Sequence, residues 1–408
     1  MPNLDVERLR KSFPALQRDV VFADAPGGTQ VPTSVVDAMA DYLSTSNANQ
    51  GGAFATSRET DAIVASARTA AADLLNCTDD EIVFGPNMTT LAFALSRVLG
   101  RTLGPGDEIV VTNLDHDANI APWTLAAEER GVTIRNVDFD PSDCTLDLDS
   151  LDAALSERTR IVAFTLASNA VGTIPPAAEI VDRVRTAGDA LLIADAVHFA
   201  PHRLLDTEAL GIDFLFCSPY KFFGPHLGVM YGRRSLLEEL TPYKVRPSPD
   251  EIPDRWESGT KSHEALAGLI ACIEYIASIT DADGDGRARI VAGMEAIAEY
   301  EAVLSLSFLD AIAEMDGVAV YGINHPTRVG VRTPTFALRV EGHSPRAVAE
   351  RLDDEGVFVW DGNYYALAVM ERLGLEETGG AIRAGFCHYH STDDVERVVA
   401  ALAACVRG

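Results

Sequence analysis

Lysine is nearly absent from this chain: it supplies four of 408 residues, against 61 acidic side chains and a formal net charge of −28. A surface this acidic repels nucleic acid and anionic lipid, so neither is an expected partner. The bias suits a salty cytoplasm or a GC-rich genome alike, and it says nothing of chemistry. Paired cysteines are lacking too. Cys77, Cys144, Cys217, Cys272, Cys387 and Cys405 are scattered without a CxxC pair or metal-ligand spacing. Buried free thiols are therefore expected, and neither disulfides nor a metal site. No apolar run approaches the ~18 residues that cross a bilayer, and the opening MPNLDVERLRK has no apolar stretch behind its charges. A cytoplasmic protein with no membrane partner is the expectation. Fixed-period repeats are also missing, which argues against a solenoid.

What is present is enough apolar material, 47% of residues, for two domains. From about residue 80 short β-rich runs alternate with helical patterns. EIVFG precedes TTLAFALSRVL, DEIVVTN precedes APWTLAAEER, and TRIVAFTLAS precedes AAEIVDRVRTAG; ALLIADAV, DFLFCSP and GVMYG follow. The alternation predicts an α/β fold with a mostly parallel sheet covered by helices. Ligands of such sheets sit at the carboxyl ends of the strands. After GVMYG the pattern changes to a long helix, SHEALAGLIACIEYIASI, and then to helix, two strands, helix, strand and helix. The expected division is an N-terminal segment 1–20 packing on the small domain, a large domain 21–285 and a smaller α+β domain 286–408.

The residues just past each predicted strand are chemically unusual. Asn87, Thr89 and Thr90 open a helix, where free backbone N–H groups and two hydroxyls can hold a phosphate. His116 follows the second strand, Asn169 the third, Asp195 and His198 the fourth, and Ser218, Tyr220 and Lys221 the fifth. Each has a bland reading as a helix cap, a satisfied core histidine or a snorkelling lysine. Five such strand ends together fit pyridoxal phosphate. A lysine forms the Schiff base, a carboxylate keeps the pyridine nitrogen protonated, and a helix start takes the phosphate. Lys221 also stands in an apolar, turn-rich stretch, SPYKFFGPHLG, poorly suited to a solvated surface charge.

At these residues the chain resembles the class V aminotransferases of fold type I, and within them the cysteine desulfurases and selenocysteine lyases. The likeness runs from FADAPGGTQVP to IRAGFCHYHSTDDVERV and includes Asp195-Ala-Val-His198, Ser218-Pro-Tyr-Lys221 and Gly224-Pro-His-Leu-Gly228. It implies a seven-stranded, mostly parallel sheet and pyridoxal 5′-phosphate bound to Lys221, which then shuttles the Cα proton. It implies that Asp195 pairs with the pyridinium nitrogen, that His116 stacks on the ring, and that Asn169 and His198 bond near the ring hydroxyl or nitrogen. Thr89, Thr90 and Ser218 would hold the phosphate, with Tyr220 beside the cofactor and Thr260 reaching the phosphate of a neighbouring subunit in a homodimer. Arg383 would clamp the substrate carboxylate, and Ala25 and Tyr365 would border the substrate.

The departures bear on the reaction. Desulfurases of this kind carry a loop of the form R-T-G-H-H-C whose cysteine takes up sulfur, and here the matching stretch is WDGNYYA, with Tyr365 at the cysteine's place. Tyr220 stands where a histidine is usual, and the loop ANQGGAFATSRET lacks the usual basic and histidine residues apart from Arg58. The leading expectation is therefore a lyase that cleaves a C–S bond of a small amino acid by β-elimination without a persulfide cysteine. Aminotransfer is second, and desulfuration or epimerisation follows. A non-enzymatic scaffold is disfavoured by the joint presence of Lys221, Asp195, His116 and Arg383.

Overall fold

The computed structural model describes residues 4–407. Its larger sheet is built from β1 (Ile82–Gly85), β2 (Glu108–Thr112), β3 (Thr133–Val137), β4 (Thr159–Thr165), β5 (Leu191–Asp195), β6 (Phe214–Cys217) and β7 (Gly228–Gly232). The strands lie in the order β1-β7-β6-β5-β4-β2-β3. Only β7 runs against the others, since it is antiparallel to both β1 and β6. Neighbours β2 to β6 pair in parallel, as the alternating pattern predicts.

Near-continuous apolar runs suit strands covered on both faces. Alternate residues of one strand enter different cores: Leu215 and Cys217 face one helical layer, while Phe214 and Phe216 face the other. The first layer is formed by helices Thr33–Asp41, Ala55–Leu75, Ala177–Ala187 and His263–Ala277; the second includes Met88–Leu99 and Ala121–Arg130. The sheet is thus fully sandwiched. Gly228 is needed where β7 passes the start of helix Met88–Leu99, because a Cβ there would lie 2.4 Å from the carbonyl carbon of Asn87.

A second sheet, β10-β11-β9-β8, is antiparallel and comprises β8 (Val318–Tyr321), β9 (Thr335–Val340), β10 (Trp360–Gly362) and β11 (Ala381–Gly385). Helices Gly286–Ala313, Pro345–Asp354 and Thr392–Arg407 cover it around Phe308, Phe336 and Phe386. Val21 and Ala23 join this core, and their segment bridges to Val357 and Gly385. The preceding segment touches both halves. Arg10 bonds to the carbonyl of Tyr389, Arg8 to that of Ile279, and Phe13 packs among Phe223, Tyr275, His388 and Tyr389. Residues 1–3 lie outside the described residues. Among the described residues no helix is long and apolar enough to cross a membrane.

Candidate functional site

The carboxyl ends of β1, β2, β4, β5 and β6 open onto one cleft of about 850 Å³ with a small inner pocket of about 80 Å³ beneath it. Lys221, His116, Asn169, Thr89 and Tyr220 line both; Asp195, His198 and Ser218 line the inner one, and Arg383 and Tyr365 the outer one. Thr90, Ala25 and Thr260 line neither. The Thr90 hydroxyl is bonded to Asn87 at 2.9 Å, and Asn87 caps the helix. Ala25 is buried in the turn just before Pro26 and Gly27. Thr260 is exposed, beside a network in which Glu257 receives Arg68 and Lys261.

Lys221 ends a 3₁₀ turn that begins at Pro219, whose fixed φ suits the first helical position. Its Nζ donates to the carbonyls of Pro26, at 2.6 Å, and Gly27, at 3.0 Å. Burial first, and then the Arg383 guanidinium, bring its pKa down to about 7, although Asp195 and Asp24 pull the other way. Gly27 cannot be replaced without movement, since a Cβ there would meet Trp360 Nε1 at 2.1 Å.

Asp195 closes β5, and its Oδ1 accepts from the N–H of Val197 at 2.8 Å. Burial raises its pKa to about 6 against the pull of that N–H and of Lys221. His116 accepts the Ala118 N–H on Nδ1 at 3.0 Å. Burial, Lys221 and Arg383 hold its pKa down to about 4, so the ring is neutral and carries its proton on Nε2. The ring lies 5.6 Å from that of Tyr365, nearly parallel. The carbonyl of Tyr365 accepts the Asp117 N–H at 2.7 Å and pins the loop after β10 over the cleft. Tyr364 and Tyr365 both have φ near +60°, a conformation that costs a non-glycine residue about 1 kcal/mol or more.

His198 reaches across to the second sheet, with Nε2 2.9 Å from Thr335 Oγ1 and 3.2 Å from Thr333 Oγ1. Its Nδ1 is buried without a partner. Asn169 donates from Nδ2 to the carbonyl of Tyr364 at 2.9 Å, while its Oδ1 is likewise unpartnered. Arg383, on β11, donates to the carbonyl of Asn169 at 2.9 Å and lies 4.5 Å above the Tyr364 ring; its Nε has no partner. Orphaned buried polar atoms cost about 1–3 kcal/mol each. Three of them on the wall of one cleft indicate a polar ligand, with the Arg383 Nε suited to an anionic group and Asn169 Oδ1 to a donor, and the set fits a phosphorylated pyridine bearing a hydroxyl with an amino-acid carboxylate beside it.

Strand-end reasoning missed Asp24, whose Oδ1 is buried and unpartnered, and whose pKa burial raises to about 6 near Arg383 and Lys221. It also missed Asp115, which bonds Asn119, Thr112 and the Thr165 N–H and so ties β2 to β4 beside His116. Burial raises its pKa to about 8. DHDAN carried that signal in its first acidic residue. Trp360, Phe93 and Glu376 complete the outer wall. Among the described residues no cysteine lines the cleft, and burial drives the Cys387 thiol far above its ordinary pKa.

The sequence matches the aminotransferase class-V family over residues 21–398. It is 33% identical to the aminotransferase-like protein FGM3 of Gibberella zeae, over 98% of this chain and 98% of that protein. It is 32% identical to a probable cysteine desulfurase 2 of Mycobacterium leprae, over 97% of this chain and 96% of that protein. The apo structure of a cysteine desulfurase from Thermococcus onnurineus superposes with a TM-score of 0.90 at 27% identity, covering 100% of this chain and 99% of that one. With a lysine, a buried aspartate and a neutral histidine gathered at the strand ends, the chain belongs to the class V aminotransferases of fold type I, and pyridoxal 5′-phosphate is its cofactor.

Proposed function

We propose that this protein is a lyase that removes a sulfur-bearing group from Cβ of a small amino acid by β-elimination, without passing sulfur to a cysteine of its own. The observation that carries the reading is the loop after β10. It sets Tyr364 and Tyr365, and no thiol, against His116 and Arg383. Tyr365 occupies the place where the resemblance to desulfurases would put the sulfur-accepting cysteine.

In this reading Arg383 takes the substrate carboxylate through its planar donors, including the Nε that lacks a partner. Lys221, whose amine is neutral over much of the physiological range, accepts the Cα proton on Nζ. When bound, pyridoxal phosphate supplies the electron sink that stabilises the Cα carbanion. Asp195 would hold a proton at the ring nitrogen, His116 would cover the ring face, and His198 Nδ1 and Asn169 Oδ1, both without partners, would bond to the ring's substituents. Thr89 and Ser218, which line the inner pocket, would hold the phosphate. Loss of the Cβ–S bond then releases the sulfur as a thiolate, and the remaining enamine hydrolyses to a keto acid and ammonia.

The site acts within a homodimer in this reading, because Thr260 stands exposed and outside the cleft of its own chain, where a partner's site can receive it. Six unpaired cysteines suit a reducing, cytoplasmic setting. Aminotransfer is the second reading, favoured by the 33% identity to an aminotransferase-like protein over the full chain. Incubation with cysteine, cystine and alanine separates the outcomes. Sulfide or a persulfide with pyruvate and ammonia supports elimination. Alanine with sulfane sulfur refutes it in favour of desulfuration, and a cofactor converted to its amine form refutes it in favour of aminotransfer.

A further inference from the structure

Behind the wall of the inner pocket lies a second cluster that the proposed reaction does not use. His202 follows β5, Glu301 lies on helix Gly286–Ala313, and Cys387 follows β11. One donor atom of each falls within 4.8 Å of the other two, and all three residues are no more than 2% exposed. His202 Nδ1 is 2.8 Å from Glu301 Oε2, while Glu301 Oε1 is buried without any partner. Burial first, and then the Glu301 carboxylate, hold the Cys387 thiol protonated while no ion is bound. A histidine–glutamate pair alone accounts for one carboxylate oxygen and leaves the other oxygen and the thiol unexplained.

A single divalent ion accounts for all three groups. Imidazole nitrogen, carboxylate oxygen and thiolate sulfur are the ligand types of zinc, and an open fourth position suits a water molecule. The charges also close. One thiolate and one carboxylate balance the two positive charges of the ion, so the filled site is neutral in a buried setting where unbalanced charge is costly. Tetrahedral bonds of about 2.0–2.3 Å set donor atoms roughly 3.3–3.8 Å apart, so the donors, now within 4.8 Å of one another, close by about 1.5 Å at most, while the His202–Glu301 pair at 2.8 Å opens by about 0.5 Å. We propose that His202, Glu301 and Cys387 form a zinc site that joins the large domain, the long helix and the small domain behind the inner pocket. Binding releases the thiol proton of Cys387 to solvent. The His202 ring packs edge-on against His198 at 5.3 Å, so the ion would brace the side chain that presents its free Nδ1 to the inner pocket. Sequence spacing cannot reveal such a site, because its three ligands stand 99 and 86 residues apart.

The cofactor-loaded full chain, stripped with a chelator and desalted, is titrated with zinc and, separately, with cobalt as a spectroscopic probe. The expected result is one zinc retained per chain. Cobalt should give a thiolate charge-transfer band that saturates at one equivalent and that zinc abolishes. Cys387→Ser should remove the band, and His202→Gln or Glu301→Gln should weaken zinc binding by about tenfold or more. Retained cofactor absorbance and melting temperature report folding of each variant. Failure of wild-type protein to hold zinc, or a cobalt band that persists in Cys387→Ser, overturns the proposal. If the variants do not fold, the wild-type cobalt titration decides alone: saturation of the band at one equivalent supports the site, and its absence refutes it. Neither outcome depends on which reaction the cleft performs.

Discussion

Lys221 lies in a setting that favours its neutral form, with burial and the Arg383 guanidinium lowering its pKa from 10.5 to about 7. The sign is that of a cation moved into low dielectric beside another cation: below about 7 the ammonium prevails, and above it the free amine. Only the amine can attack an aldehyde. Capture of pyridoxal phosphate by cofactor-free protein should therefore accelerate as pH rises through about 7, and Arg383→Gln should move that inflection upward because it removes a positive neighbour. Stopped-flow absorbance across pH tests this, and an inflection near 10 in both proteins would contradict it. The Asp195 carboxylate accepts one hydrogen bond, from the Val197 N–H, and is otherwise held in a pocket that penalises its charge. Asp195→Ala should cost about 100-fold or more in kcat while moving unfolding free energy by less than about 1.5 kcal/mol. Steady-state kinetics beside denaturant unfolding would separate the two, and equal losses would make Asp195 a folding residue.

The segment around Phe13 is where elements meet. The ring is fully buried and touches the rings of Phe223 and Tyr275 from one half and of His388 and Tyr389 from the other. Phe13→Ala should destabilise the protein by about 3–5 kcal/mol, read by urea unfolding with the cofactor present. A loss below 1 kcal/mol would mean that the segment is not part of the cooperative core. This contact was not legible in the sequence, because four partners come from residues 210 to 376 positions away. The parallel strands were legible, since burial on both faces turns them into unbroken apolar runs. β3 was not. Its burial pattern is mostly exposed, as befits an edge strand, so it leaves no apolar run to read. β10 has three residues and no pattern to read. At the site, lysine, aspartate and histidine stood out because they follow apolar runs. Trp360, on the short strand β10, and Glu376 reach the cleft, and Asp24 reaches Arg383 and Lys221, only through the tertiary fold.

At the scale of the whole molecule, the surface offers Val36, Leu43 and Phe54 at half exposure or more, on the same side of the sequence as the loop 48–60, while the chain carries a charge of −28. If two such chains associate as proposed above, they bury apolar surface against charge repulsion, and the dimer should tighten as salt screens that repulsion. Sedimentation at low and high ionic strength reads this directly. The assignment of Thr260 to the partner's site makes a sharper demand. On that proposal Lys221→Ala removes the lysine from a chain's own site, whereas Thr260→Ala would remove a phosphate contact from the other chain's site. Each variant alone should bind pyridoxal phosphate weakly at both sites. When the two variant chains are unfolded together and refolded at equal amounts, half of the dimers are mixed, and each mixed dimer has one site with both residues intact. Tight cofactor binding should thus return to about a quarter of the wild-type level by random pairing in a closed two-fold assembly. If Thr260 serves its own chain instead, no dimer contains an intact site and no tight binding returns, because every Lys221 would then share its site with an alanine.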